Sequence, residues 1–590
     1  MEDTVDFPIK PHQSMNENHL LKQGGDITDN LMCDSCLFAV GAARTFLDDE
    51  NRQEILESAI ELGCSFKYKM SVCKGMLRYF SKNMFQQLMT YPSDPAYFCS
   101  NFMTYCKTPK YKTLNEQVYI DNMIASKPDS IAKDDFIQKL YQDNETPIKT
   151  FKIAHLTDLH LDLDYVEGTS TKCDFITCCR LQNGFPDKKS DRAGKYGGYT
   201  CDTSLDLITS MGDFLNSEIK PDAIFWTGDT VPHNMWEEND YSEKVKYMKT
   251  VTNFFDANFT DTPLYPVMGN HDFHTSNLQN FVNKGKMIDI TLDMWKDYLD
   301  DEAEASFQNN SYYVQKLRVN RNGTLQTIDK VNVIGLNTQP CYTFNFYVWS
   351  QRNDPGGVLA WMNQTLYEME QNNETAIVIA HIPPADHTCS YAWASRYQAI
   401  AERYQHIIRF STFGHDHRER HNLVRGDKSE KPFGVQYWSS SITTFENNNP
   451  SFRVFEVDEA TMLPVKVYTY YMNLREKSPQ WKLHHEMTEF YNMPDLSPRS
   501  FDDLSKKILE QNDVAVQYIK TWSLDGPDGD HLDCNKECRR QQYCQTRSST
   551  AYKARYCMGL KPDMYDVLFN YLAGPWIDES TKNPNYEKVL

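Results

Sequence analysis

The clusters Asp158-Leu-His160, Gly228-Asp229, Gly269-Asn270-His271-Asp272, His381 and Gly414-His415-Asp416-His417 carry carboxylate, imidazole and carboxamide groups, the side chains that bind divalent cations. Each follows a short apolar run: FKIAHLTD, AIFWTGD, LYPVMGNHD, AIVIAHIPP and RFSTFGHDH. A lone Asp-x-His is ordinarily a surface or capping pattern. Five runs that all end in ligand types are hard to explain by capping or by hydrogen-bonded core histidines. The chemistry they suit is specific. Two divalent cations about 4 Å apart repel and need a carboxylate between them, which makes Asp229 the candidate bridge. Imidazole and carboxylate suit zinc. Such a pair binds a phosphoryl oxygen, acidifies a shared water and stabilises pentacoordinate phosphorus. The leaving alkoxide then needs a proton, for which His271 is the candidate donor, with His233 holding the phosphoryl group. The alternative for both is a hydrogen bond to a neighbouring carboxylate.

Those residues need an element that brings them to one edge. The runs have the length of buried strands. The mixed stretches between them, such as SLDLITSMGDFLNSEI, suit helices, so residues 151–470 read as an α/β sandwich with its site at the strand ends. Ahead of it, residues 1–30 are polar and read as a loose N-terminus. Residues 31–108 show helical apolar spacing in CLFAVGAARTFL and VCKGMLRYFSKNMFQQLM. Residues 109–150 are polar with two X-Pro steps and read as a linker, and residues 471–590 turn helical again.

The chain has 590 residues, 16 cysteines and a net charge of −20. Its length calls for several domains. Its charge would repel a nucleic-acid backbone, which excludes that partner class. Near the pI of 5.3 the repulsion from an anionic membrane would fade. An even, clustered cysteine count without a repeated zinc-knuckle spacing points to disulfides and an oxidising compartment. The N-terminus MEDTVDFPIK lacks the basic and apolar regions of a signal peptide. The cysteines outweigh that absence in this reading. No apolar run reaches membrane-spanning length. Six glycosylation sequons occur, at Asn144, Asn258, Asn309, Asn322, Asn363 and Asn373, about as many as chance would place here.

The ordered clusters over residues 151–460 resemble the calcineurin-like metallophosphoesterases. The resemblance implies one cation held by Asp158, His160, Asp229 and His417, and another by Asp229, Asn270, His381 and His415. Glycines before Asp229, Asn270 and His415 would permit the sharp strand-to-loop turns. Purple acid phosphatases place a ligating Tyr where this chain has Pro232. That departure favours two zinc ions over an iron–tyrosinate centre. The cysteines at 33, 36, 64, 73, 99 and 106 resemble a saposin B-type domain, an all-α fold that opens onto lipid. It implies the pairs Cys33–Cys106, Cys36–Cys99 and Cys64–Cys73. Phe38, Phe46, Met70, Met76, Leu77, Phe80 and Met84 are candidates for its apolar face.

Saposin-like, metallophosphoesterase and Cys-rich helical regions in this order resemble the acid sphingomyelinase family. That family implies the further pairs Cys173–Cys178, Cys179–Cys201, Cys341–Cys389, Cys534–Cys538 and Cys544–Cys557. It implies hydrolysis of sphingomyelin to ceramide and phosphocholine by a water bridging the two zincs, with His271 protonating the ceramide oxygen. The enzyme would be lysosomal or secreted, act as a monomer, and reach sphingomyelin-containing membranes through the saposin region. Two alternatives stand: a nucleotide or pyrophosphate phosphodiesterase, and a non-catalytic lipid-presenting protein.

Overall fold

The computed structural model describes residues 26–578, apart from 91, 104, 107–110, 114–115, 143–148, 239, 531–532, 561–567, 569–571 and 573–575. Two six-stranded mixed sheets face each other. The first has the order β13-β12-β11-β2-β3-β4, with β2 Thr150–Leu156, β3 Ala223–Trp226, β4 Leu264–Pro266, β11 Ser451–Asp458, β12 Pro464–Met472 and β13 Trp481–Glu486. The second has the order β5-β6-β7-β8-β10-β9, with β5 Tyr313–Arg321, β6 Thr324–Leu336, β7 Thr375–Ala380, β8 Ile408–Phe413, β9 Arg420–Arg425 and β10 Pro432–Trp438. Parallel pairs β2–β3–β4 and β6–β7–β8–β10 form the middle of each sheet.

Phe151, Ile153, Phe225, Ile377, Ile379, Val435 and Phe455 interdigitate between the sheets. Their neighbours on alternate positions face outward. Ala154, Ile224 and Trp226 meet the helices Leu205–Phe214, Tyr241–Asn258 and Lys286–Trp295. Val378 and Ala380 meet Val358–Gln371 and Tyr391–Arg403. Strands covered on both faces read as continuous apolar runs, which is why the sequence shows no alternation there.

The C-terminal region is not a separate core. Phe501, Leu504, Ile508 and Tyr518, from helices Pro498–Glu510 and Asn512–Trp522, complete the inter-sheet core, and β12 and β13 extend the first sheet to residue 486. A boundary at 470 therefore cuts through β12. Of residues 109–150, expected to link domains, the described segment 116–142 is folded onto the sandwich. Helix Glu116–Ala125 packs Tyr119 and Ile120 on Ala399, and Glu116 pairs with Arg396 at 2.7 Å. Lys127 bridges Glu402 at 2.9 Å and Asp134. Strand β1, Tyr111–Thr113, pairs antiparallel with β14, Trp576–Asp578.

The N-terminal helices are α1 Asp26–Leu47, α2 Glu50–Cys64 and α3 Met70–Leu88. α3 docks on the sandwich: Phe80 meets Phe346 edge-on, Met84 joins a cluster with Tyr97, Phe281 and Trp349, and Tyr347 donates to Asn83. Phe80 and Met84, expected on a lipid face, are thus half-buried against protein. The exposed apolar side chains lie on α1, on α2 and at the α2–α3 turn: Phe38, Phe46, Ile55, Leu62 and Phe66. Disulfides join Cys33–Cys106, Cys36–Cys99, Cys64–Cys73, Cys173–Cys178, Cys179–Cys201, Cys341–Cys389, Cys534–Cys538 and Cys544–Cys557. No helix among the described residues is long and apolar enough to cross a membrane. Of the sequons, Asn258, Asn309, Asn322 and Asn373 are exposed, Asn363 is half-buried, and Asn144 lies outside the described residues.

Candidate active site

Five strands of the two sheets end at one edge, and the loops leaving them carry the candidate ligands. Asp158 and His160 follow β2, Asp229 follows β3, and Asn270 and His271 follow β4. His381 follows β7, while His415 and His417 follow β8. The loops are tied to one another rather than to solvent. Asp158 N–H donates to Gly228 O and His160 N–H to Asp229 O. Asp158, His160, Asp229, His415 and His417 all have left-handed φ, between 40° and 75°. L-residues adopt that region at a cost, and it clusters where function over-determines the backbone.

Close approach explains two of the glycines. A Cβ at Gly269 would lie 2.2 Å from Asp229 Oδ1, and one at Gly414 would lie 2.0 Å from Thr157 Oγ1. Neither has positive φ, so they serve by making room; of the three, Gly228 alone makes the expected turn, with φ +88°.

The side chains converge in two halves that share Asp229. In one, His381 Nε2 is 3.2 Å from Asp229 Oδ2, and Asn270 Oδ1 is 2.9 Å from His381 Nε2 and 2.8 Å from His415 Nδ1. In the other, His160 Nε2 is 3.6 Å from Asp229 Oδ2 and 3.8 Å from Asp158 Oδ1, and His417 Nε2 is 3.4 Å from Asp158 Oδ1. Ligand atoms of Asp229, His381 and His415, and of Asp158, His160 and Asp229, fall within 4.8 Å of one another.

The chemistry of this donor set tests whether cations fit. His160 Nδ1 donates to Val231 O at 2.7 Å, and His381 Nδ1 donates to Thr227 O at 2.7 Å. Each ring therefore turns an Nε2 lone pair inward, toward carboxylates that are also electron-rich. His160 Nε2 and His417 Nε2 stand 3.2 Å apart. Buried lone pairs and anions facing one another are the arrangement a divalent cation satisfies. Burial opposes a charge on His381, yet Asp229 and Asp158 raise it to about 9, so protons compete for the same position.

His271 and His233 stand at the rim, with ring centroids 4.7 Å apart. His271 N–H donates to Asp229 Oδ1 at 2.7 Å, and its ring Nδ1 is buried without a partner. Burial, then the neighbouring imidazoles, hold this ring well below the usual range despite the opposing pull of Asp229. His233 stacks on His160 at 3.8 Å and falls with His160 and His417 in a third group of converging nitrogens.

Several supporting residues had no role assigned from the sequence. Asp202 accepts from His233 Nδ1 at 2.7 Å and from its backbone N–H at 2.8 Å. Burial raises its carboxyl, but His233 holds it down at about 2. Asp272 stands inside the GNHD cluster and accepts from the N–H groups of Asp229, Thr230 and Gly269, anchoring two ligand loops. Burial, then Asp229, lift it to about 6. Thr388 Oγ1 lies 3.2 Å from His415 Nε2 and donates to Asp386. The aromatic run 341–349 splits: Tyr342 meets His415 edge-on at 5.4 Å, while Phe346 and Trp349 pack under α3.

Residues 151–419 match the calcineurin-like phosphoesterase family, and residues 435–560 match the acid sphingomyelin phosphodiesterase C-terminal region. Sphingomyelin phosphodiesterase B of Dictyostelium discoideum is 28% identical, over 98% of this chain and 88% of its own. Sphingomyelin phosphodiesterase 1 of Caenorhabditis elegans is 25% identical, over 89% and 93%. Acid sphingomyelinase-like phosphodiesterase 3b of Mus musculus is 29% identical, over 66% and 86%. The metallophosphoesterase family is one of divalent-metal enzymes, and the clustered Asp and His side chains suit that requirement. With these two regions side by side and relatives spanning nearly its whole length, the chain is similar to the sphingomyelin phosphodiesterases of the acid type.

Proposed function

We propose that this enzyme is a zinc-dependent phosphodiesterase that hydrolyses sphingomyelin to ceramide and phosphocholine. The observation that carries the reading is the pair of half-sites sharing Asp229, set in a chain with an exposed apolar face on its N-terminal helices. Asp158, His160, Asp229 and His417 would hold one zinc, and Asp229, Asn270, His381 and His415 the other. Bound zinc supplies Lewis acidity toward phosphoryl oxygens and lowers the pKa of water.

The chain's own groups supply the rest. The carbonyls of Val231 and Thr227 fix the tautomers of His160 and His381, so their lone pairs stay inward. Asp202 fixes His233 at the rim, where its Nε2 can meet a phosphoryl oxygen. The unpartnered Nδ1 of His271 is the group in reserve for the leaving oxygen. The N-terminal helices with their three disulfides act as a saposin-type domain that meets the lipid surface. Eight disulfides support a lysosomal or secreted setting, in which the exposed sequons are glycosylated and the enzyme works as a single chain.

The deciding experiment is product identification from sphingomyelin liposomes near acid pH, with and without chelator, beside ATP as competitor substrate. Ceramide and phosphocholine, lost on chelation and restored by zinc, are the expected result. Turnover of ATP with intact sphingomyelin would replace this reading with a nucleotide phosphodiesterase. No turnover of either would leave lipid presentation.

A further inference from the structure

We propose that the disulfide-stapled loop over residues 172–195 is a second membrane contact. It inserts Leu181 and Phe185 into an anionic lipid surface and sets Lys188, Lys189 and Arg192 against the head groups. The inference rests on the lipid-substrate reading above.

Leu181 is 67% exposed and Phe185 62% exposed. Singly exposed apolar residues are ordinary. These two differ because a rigid frame holds them out. Cys173–Cys178 and Cys179–Cys201 staple the loop. Ser170 N–H donates to Gly184 O at 2.9 Å and Ala193 N–H to Thr169 O at 2.7 Å. The Arg180 guanidinium is buried on Asp162 at 2.7 Å and on Glu237 at 2.5 Å. A rigid apolar tip loses little conformational entropy on insertion.

Charge names the occupant. The chain as a whole is at −20, yet this loop carries six basic residues against three acidic ones. Asp191 pairs with Lys172 at 3.2 Å and faces Lys188 at 4.0 Å. Among the described residues, Lys189 and Arg192 have no carboxylate in ion-pair reach. Basic residues beside exposed apolar ones are the composition that binds anionic interfaces.

Position completes the argument. Lys69 N–H donates to Asp174 O at 2.9 Å, and the Lys69 ammonium lies 4.5 Å from the Phe175 ring centre. The loop thus abuts the α2–α3 turn, where Phe66 is 88% exposed. At its other end Arg180 grips Asp162, two residues beyond His160. The loop is thus joined to the exposed turn through Lys69 and, through the buried Arg180–Asp162 pair, to the segment that carries His160.

The test is co-sedimentation of the full chain with vesicles of phosphatidylcholine, with or without phosphatidylserine, near the pI of 5.3. Leu181→Ser/Phe185→Ser should weaken binding to both vesicles about tenfold. Lys188→Gln/Lys189→Gln should weaken binding to the phosphatidylserine vesicles alone, by about 25-fold at low salt, and match wild type at high salt. Turnover of soluble bis(nitrophenyl) phosphate should be unchanged in both, which shows that the loop acts at the interface. Wild-type binding by the Leu181/Phe185 variant to either vesicle, wild-type binding by the Lys188/Lys189 variant to the phosphatidylserine vesicles at low salt, or no binding by the wild type would overturn the proposal. Loop-dependent binding by an enzyme that leaves sphingomyelin intact would instead count against the substrate assignment alone.

Discussion

His233 and His271 face the same rim but are held differently, and that difference separates their roles. His233 is clamped at Nδ1 by Asp202, whereas His271 keeps a buried Nδ1 without a partner. A residue that delivers a proton should matter in proportion to the basicity of the leaving group. His271→Ala should therefore slow sphingomyelin by about 10²–10⁴-fold and slow a nitrophenyl phosphodiester far less, since nitrophenolate leaves unprotonated. Equal slowing of both substrates would remove the acid role. Asp202 acts through His233, so Asp202→Asn should cost about 10–100-fold on either substrate alike, with the metal content unchanged. A leaving-group dependence in that variant would assign Asp202 a direct part in proton transfer.

At the scale of elements, α3 and the 235–238 turn form one unit. A Cβ on Gly75 would lie 2.0 Å from Trp236 O, so α3 reaches the turn only because Gly75 has none. Beneath that contact Glu238 pairs with Lys244 at 2.7 Å and accepts from Ser276 Oγ at 2.6 Å. Burial would raise the Glu238 carboxyl, but Lys244, then His274 and Ser276, hold it at about 2 against an ordinary 4.5. A depressed carboxyl stabilises the fold fully above its unfolded value, and that stability is lost as pH falls through the folded value. The pair thus stays intact in a mildly acidic compartment. Thermal unfolding of wild type and Glu238→Gln should differ by a constant margin above pH 4.5, and the margin should shrink from 4.5 toward 2. A margin that widens on acidification would show that the pair does not carry this stability.

For the whole molecule, what the sequence made legible was whatever lay in contiguous runs. The strand-end ligands are readable because apolar run and ligand adjoin, as in AIVIAH and RFSTFGHDH. Asp202 is not, because it reaches His233 across 31 residues of chain and its neighbours read as a disulfide loop. The same limit hid the partnerships of residues 109–150, whose polar surface looks like a linker but includes the Glu116–Arg396 and Lys127–Glu402 pairs. Arg352 shows how far such long-range contacts knit the chain together. Its guanidinium is buried; Nη1 donates to Tyr97 OH at 2.5 Å, Nη2 to Leu572 O at 2.7 Å and Nε to Trp349 O at 2.8 Å. One side chain thus joins the N-terminal helical region, the sandwich and the C-terminal segment. Hydrogen bonds to a charged donor contribute about 1.5–3 kcal/mol each, and truncation strands buried acceptors. Arg352→Met, which keeps the packing volume but no donors, should therefore lower the unfolding temperature. It should also expose the N-terminal helices to protease before the sandwich. Turnover on vesicles should fall well below that on a soluble diester, because the three bonds just named hold the junction around α3, on which interfacial access depends, rather than a catalytic loop. Parallel loss on both substrates, with the sandwich cleaved as early as the helices, would place Arg352 in the general stability of the fold rather than at this junction.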